Sequence, residues 1–148
     1  MPDRFIDDYL LYLLARASAG ISAQFHARLK THGLQVPEWR VLASLSDGDG
    51  MTIGELATLA LQRQPTMTKI IDRMTEAGLV ERRPDDSDRR KVRIFISDDG
   101  RRRVDAALAD AKAHEREVLA DYSPAEAAQM KSMLRTLLER NGDSRGGD

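Results

Sequence analysis

Residues 64–97 read QPTMTKIIDRMTEAGLVERRPDDSDRRKVRIFIS, and their periodicity changes midway. Met67, Ile70, Ile71 and Met74 recur at i, i+3, i+4 and i+7, one face of an α-helix. Thr66, Lys69, Asp72, Arg73 and Glu76 fall largely on the other side, with Thr68 near the boundary. Pro65 suits a first helical turn, where its missing N–H leaves no bond unmade. Gly78 suits the left-handed position past a helix end, and Leu79 can fold back on the last turn. The spacing therefore predicts a helix from Gln64 to Ala77.

Beyond it the period becomes two. Val92, Ile94 and Ile96 alternate with Arg93 and Phe95, a strand with unlike faces, and Leu79–Arg83 is its expected partner. Between them Pro84-Asp85-Asp86-Ser87-Asp88 is turn chemistry, because proline sets one φ while Asp and Ser bond their own backbone. Arg82, Arg83, Arg89, Arg90, Lys91 and Arg93 outnumber Glu81, Asp85, Asp86 and Asp88, so the hairpin is locally cationic. A helix narrow enough for a major groove, followed by a basic loop that can reach a neighbouring groove, suits a reader of duplex nucleic acid.

Working upstream, Thr52 is a good N-cap and Glu55 stands three residues on, the spacing of a capping box. Ile53, Leu56, Ala57, Leu59 and Ala60 form the buried side of that short helix, and Leu61-Gln62-Arg63 is a turn into the next. Two short helices so joined make a helix-turn-helix. Before them, His32-Gly33-Leu34 reads as a helix stop, and Pro37 opens a helix carrying Trp39, Val41, Leu42 and Leu45. The segment Asp3–Thr31 is a long helix candidate. Its apolar stripe, from Phe5 and Ile6 through Leu13 and Ile21 to Leu29, begins close to the chain end. A partner subunit covering that stripe is favoured over packing on its own domain.

Downstream, Ser97-Asp98-Asp99-Gly100 leads into a long helix patterned by Val104, Ala107, Leu108 and Ala111. Ser123-Pro124-Ala125-Glu126 is a second capping box, opening a helix expected to run to Arg140. The tail Asn141–Asp148 is small and polar and is expected to be disordered.

The 148 residues suffice for one domain with a real core, and 32% charged with 41% hydrophobic residues is a soluble composition. No apolar run has the length of a membrane span and the N-terminus lacks a secretory pattern, so a cytoplasmic location without membrane association is expected. The absence of cysteine excludes disulfides, thiolate metal sites and a cysteine redox sensor. His26, His32 and His114 form no tight ligand pair, so no metal is expected. No Ser–His–acid order, phosphate-binding glycine loop or metal spacing is present, which argues against an enzyme. Net charge is −1, but residues 63–103 hold 12 basic and 8 acidic residues against 11 and 16 elsewhere. A basic lobe on an acidic body fits DNA binding by one face.

The order of a long helix, GLQVPEWRVLASL, TIGELATLAL, QPTMTKIIDRMTEAGLVERR, DDSDRRKVRIFISDDGR and two further helices resembles the multiple antibiotic resistance regulator (MarR) family of winged helix-turn-helix transcription factors. The likeness spans about residues 5–140, and its most specific parts are GLVERR and DRRKVRIFIS. It implies a mainly α fold with a small β-hairpin wing. Residues 36–97 would form the DNA-binding lobe, and residues 5–32 and 101–140 the dimerisation helices. It further implies a homodimer on a pseudo-palindromic double-stranded DNA operator, most often as a repressor, with no cofactor.

Carried over by position, the recognition helix holds Gln64, Pro65, Thr66, Thr68, Lys69 and Arg73. In the wing, Asp88 and Arg90 match an Asp-x-Arg motif whose arginine enters the minor groove, with Arg89 beside it. Arg63 stands where the family often has serine, which removes a short cap but adds a cation beside the DNA. The resemblance also suggests a small-molecule effector of unspecified identity, with Trp39, His26, Tyr9 and Arg16 as candidates to line its space. A winged helix serving as a protein–protein module is the alternative, told apart by whether a continuous positive face spans the dimer.

Overall fold

Six α-helices and one hairpin follow one another in the computed structural model, which describes residues 4–142. They are α1 (Leu10–Leu29), α2 (Val36–Leu45), α3 (Ile53–Leu59), α4 (Gln64–Glu76), β1 (Val80–Pro84), β2 (Val92–Ile96), α5 (Asp98–Val118) and α6 (Pro124–Asn141). Short 3-10 turns at Phe5–Asp8 and Lys30–His32 flank α1. The result is a mainly helical winged helix-turn-helix, as the sequence pattern predicts.

The predicted boundaries hold where capping residues set them. Gly78 takes φ 76° at the end of α4, and the Leu79 N–H returns to the Met74 carbonyl at 2.9 Å. Ser123 and Glu126 form both halves of their capping box. At Thr52 only half forms: its hydroxyl accepts the Glu55 N–H at 3.2 Å, and the reciprocal bond is absent from the described residues. A box the sequence reading missed opens α2, where Gln35 and Glu38 bond each other's backbone, so the helix starts one residue before Pro37.

Three expectations need correction. The N-terminal helix does not run unbroken from residue 3. Tyr9 is extended, with φ −82° and ψ 120°, and α1 begins at Leu10 with Asp7 and Asp8 just ahead of its positive end. The strand pair has a third member: Met51 exchanges both backbone bonds with Ile94, at 3.0 and 2.7 Å. Finally, α6 continues through Asn141, while residues 143–148 of the expected tail lie outside the described residues.

The core lies where α2, α3, α4 and the hairpin meet. Val41, Leu42, Leu45, Leu56, Met67, Ile71, Met74, Val80 and Ile94 are all buried there, and Phe25, Leu29, Val104 and Ala107 join from α1 and α5. Each large side chain so buried stabilises by roughly 1.5–3 kcal/mol relative to exposure. The register pairs Val80 with Ile96 and Pro84 with Val92, which puts the Asp85–Lys91 tip beyond the core. Gly100 locks the hairpin to α5: a Cβ there would stand 2.2 Å from the Leu79 carbonyl oxygen.

A charged cluster ties α1 to α5. Arg28 donates to Asp110 at 3.0 Å and to Glu117 at 2.7 Å, and His32 Nε2 donates to Asp110 at 3.1 Å. Those donors, His32 first and Arg28 second, hold the Asp110 carboxyl below its ordinary range. By contrast α6 buries none of its described residues, and Met133, Leu134, Leu137 and Leu138 are exposed with Phe5, Leu10, Leu11 and Leu13.

Candidate nucleic-acid interface

Helix α4 turns its apolar stripe wholly inward, so its other face is free. Gln64, Pro65, Thr66, Thr68, Lys69 and Arg73 are all exposed. Lys69 and Arg73, one turn apart, make no ion pair among the described residues. Thr68 is partly engaged, its hydroxyl donating to the Gln64 carbonyl at 3.1 Å. Arg63 is the N-cap residue and makes no side-chain cap, as its size predicts, which leaves the first amides of α4 uncovered by it.

The hairpin is less cationic than its composition suggests, because several of its cations are neutralised at close range. Arg82 pairs with Asp72 of α4, and Arg83 donates to Glu81 at 2.8 Å while lying over the Phe95 ring. Arg93 donates to Asp85 at 2.6 Å and to the Gly50 carbonyl at 2.9 Å. Arg89 and Lys91 make no ion pair among the described residues. Arg90 projects from the tip with its side chain 92% exposed, yet its Nε and its backbone N–H both donate to Asp88 Oδ1 at 3.1 Å. The Arg90 side chain, and then its backbone N–H, hold the Asp88 carboxyl low, so the clamp keeps its charge at neutral pH.

Asp85 organises this tip, a role the sequence reading missed by treating it as turn chemistry alone. Its carboxylate is nearly buried and accepts from the Ser87 hydroxyl at 2.6 Å, the Ser87 N–H at 2.7 Å and the Asp88 N–H at 3.3 Å, besides Arg93. The Ser87 hydroxyl, followed by Arg93, pulls its acidity far below the usual carboxylate range. Through Arg93 and Gly50 the tip is fixed to the loop between α2 and α3. The wing is therefore held at a set angle to α4.

A cavity of about 520 Å³ opens between α1, α2, α5 and α6. Of the four residues considered for it, Trp39 and His26 line it, whereas Tyr9 meets Phe5 at a tilt with ring centroids 4.9 Å apart and Arg16 donates to Tyr12 at 2.8 Å, and neither is in its wall. The break at Tyr9 removes that residue from the helix face on which it was expected. Phe25, Arg40 and His114, which the sequence did not single out for the cavity, are also in its wall. Phe25 and Trp39 meet edge to face at 5.0 Å, and His114 Nε2 donates to Gln24 Oε1 at 3.0 Å. Burial first, then the neighbouring Arg40 charge, lower the His26 pKa. Among the described residues no cluster of three acidic or histidine side chains suits a metal ion, and no helix is long and apolar enough to cross a membrane.

Known proteins share this sequence pattern and fold. Residues 32–91 match the model of the MarR family. A solved MarR family transcriptional regulator from Silicibacter pomeroyi DSS-3 is 48% identical, with 93% of this chain and 98% of that one covered and a TM-score of 0.81. The HTH-type transcriptional repressor IacR of Pseudomonas putida is 34% identical over 67% of this chain, a stretch that spans only 59% of that repressor. CouR from Rhodococcus jostii RHA1, solved bound to p-coumaroyl-CoA, is 25% identical with a TM-score of 0.81, covering 91% of this chain and 95% of that one.

Proposed function

The chain belongs to the MarR family of DNA-binding transcriptional regulators, which are not enzymes, and from that premise we propose that it is a homodimeric repressor of a pseudo-palindromic operator. The observation that carries this reading is the placement of unpaired cations. Among the described residues Lys69 and Arg73, on the exposed face of α4, and Arg89, at the tip of the wing fixed beside it, make no ion pair, and Arg90 at that tip is clamped only by its neighbour Asp88. In this reading α4 enters the major groove. Arg73 or Lys69 reaches guanine edges or phosphates, and Thr66 and Thr68 contact phosphates or thymine methyls. Arg90 enters the neighbouring minor groove, where a narrow A·T-rich tract strengthens the negative potential, while Asp88 steadies it. Arg63 and the first amides of α4 face the phosphates between the two grooves.

Apolar surface left exposed on α1 and α6 supports the dimer. Leu10, Leu13, Met133, Leu134, Leu137 and Leu138 are exposed and have no cover among the described residues. A dyad through residues 5–32 and 101–140 covers both stripes at once and sets two α4 helices about one DNA turn apart.

The cavity supports a small-molecule effector. It adjoins the helices assigned to the dimer and the lobe assigned to DNA, and aromatic and aliphatic walls with a few polar groups suit a small aromatic ligand. The acyl group of the ligand bound by CouR is also aromatic. The repressor reading draws on IacR.

Selection of bound fragments from the source genome, followed by footprinting, tests the whole. The expected outcome is a protected pseudo-palindrome and a sedimentation mass of two chains. A monomer without sequence preference would overturn it.

A further inference from the structure

Leu61, in the turn between α3 and α4, takes φ 57° and is the only residue other than glycine in the left-handed region among the described residues. A side chain there crowds its own backbone, and glycine would occupy the same place without that cost. The turn is nonetheless firmly set. The Leu61 N–H donates to the Thr58 carbonyl at 3.2 Å and the Gln62 N–H to the Ala57 carbonyl at 2.9 Å. From α2, Arg40 Nη1 donates to the Ala60 carbonyl at 3.3 Å. Ala57 and Ala60 are buried, whereas Leu61 is 75% exposed. The fold thus holds a leucine in a strained setting and packs little against it.

Leu59, two residues earlier, is exposed as well. Helix α3 packs chiefly on α2 and α4, so these leucines stand apart from the apolar surface of α1 and α6 that a dimer would cover. What adjoins Leu61 is the start of α4. Arg63 is the N-cap of that helix and Gln64 its first residue. Two residues of chain span no more than roughly 7 Å, so the Leu61 side chain is rooted within that distance of Arg63. On the operator reading Arg63 and Gln64 face DNA, and Leu61 is then presented at the rim of the major groove. The apolar group that a base pair shows in that groove is the thymine C5-methyl, which lies at the groove's edge beside its own strand.

We propose that Leu61 is a specificity-determining residue, whose side chain covers one thymine methyl at the same position of each half-site. The left-handed turn holds it there. The inference rests on the operator reading above and adds to it a base contact made ahead of the recognition helix. Covering one methyl changes affinity roughly fourfold, and two methyls related by the dyad roughly fifteenfold. Glycine at this position relieves the strain and loses the contact, so stability and affinity move in opposite directions. A leucine that only shaped the turn would not separate them in that way.

The test uses the full-length protein and an operator fragment recovered by genomic selection, with binding read by fluorescence anisotropy. Symmetric pairs of thymines are replaced in turn by deoxyuridine, which removes the C5-methyl alone. At one pair the wild type should lose roughly fifteenfold in affinity. Leu61→Gly should bind the unmodified operator weaker by a similar factor, lose nothing further at that pair, and unfold at a higher urea concentration than the wild type. Leu61→Asn, whose short polar side chain tolerates the left-handed region, should show the same indifference to that pair and guards against misfolding of the first variant. If both variants keep the wild-type loss at every thymine pair, or if no pair matters to the wild type, Leu61 covers no methyl; the operator reading then stands and this proposal falls. Variants that bind every fragment as the wild type does, yet fail to repress transcription, would set the leucine against a protein and overturn the proposal. If the wild type binds no fragment with sequence preference, the operator reading falls and the proposal with it.

Discussion

Replacing Arg90 with alanine separates a charge delivered to DNA from a residue that merely shapes the wing. Its side chain is almost wholly exposed, and its bonds to Asp88 are local, so the fold gives up nothing with it and the melting temperature should not change. If each subunit neutralises about four phosphates, the dimer's log–log salt slope is about −7. The variant loses one cation per subunit, which brings the slope to about −5. Between 50 and 200 mM salt, wild-type affinity then falls roughly 20,000-fold and the variant's roughly 2,000-fold, so the gap between them narrows about tenfold. Fluorescence anisotropy with a labelled operator across that range measures both lines. Coincident lines would remove the wing from the DNA. Parallel lines with a constant offset would show that Arg90 acts through the shape of the wing and not through its charge.

Asp85→Asn should weaken operator binding several-fold without the shallower salt slope expected of Arg90→Ala, because it loosens the tie to Arg93 and removes no cation; faster amide exchange at Ser87 and Asp88 would accompany it. Leu138→Glu should convert the dimer to monomer in sedimentation without lowering helix content, since Leu138 is exposed in the single chain. Gly100→Ala should destabilise by about 1–3 kcal/mol in urea unfolding, as the new methyl must displace the Leu79 backbone. Asp110 has its pKa lowered from an ordinary 3.8, so its contribution is complete above that value and is lost as pH falls through the folded pKa. Asp110→Asn should therefore flatten the loss of stability on acidification below about pH 4, read from urea midpoints.

What the sequence made legible is what dense local pattern encodes. Met67, Ile70, Ile71 and Met74 fix both the existence of α4 and the face it exposes, because four apolar residues at helical spacing leave one solution. The hairpin follows from alternation, and its ends from Gly78 and Pro84. The Met51–Ile94 bridge was not legible, since a single pair has no periodicity. Asp85 was read as a turn residue because its bond to Arg93, eight residues away, exists only once the two strands are twisted together. Arg40 was invisible for a similar reason: a cation on a mostly apolar helix looks like surface charge until Ala60, twenty residues on, is brought beneath it.

The pairing of the hairpin's arginines alters how a nearly neutral chain can hold DNA. Counting residues gives the 63–103 segment four more cations than acids, which suggests a diffuse positive lobe. In the folded chain that surplus is not diffuse. Arg82, Arg83 and Arg93 each lie against a carboxylate at contact distance, and beyond about 8 Å at physiological salt such a pair exerts little field. What remains beside α4 and the wing is a short arc of cations that among the described residues are unpaired or only locally clamped: Arg63 at the start of α4, Lys69 and Arg73 along it, and Arg89, Arg90 and Lys91 at the wing tip; Arg101, Arg102 and Arg103 belong to α5. A protein built this way has weak general attraction to polyanions, because its paired arginines and acidic body offset each other at long range. On the proposed reading of the interface, tight binding requires the arc to meet phosphates and groove edges in register. The same carboxylates that reduce the count, Asp85 and Asp88 above all, fix where the remaining charges point. On that reading acidic residues in the wing favour discrimination over affinity, and a −1 net charge is compatible with a sequence-reading function.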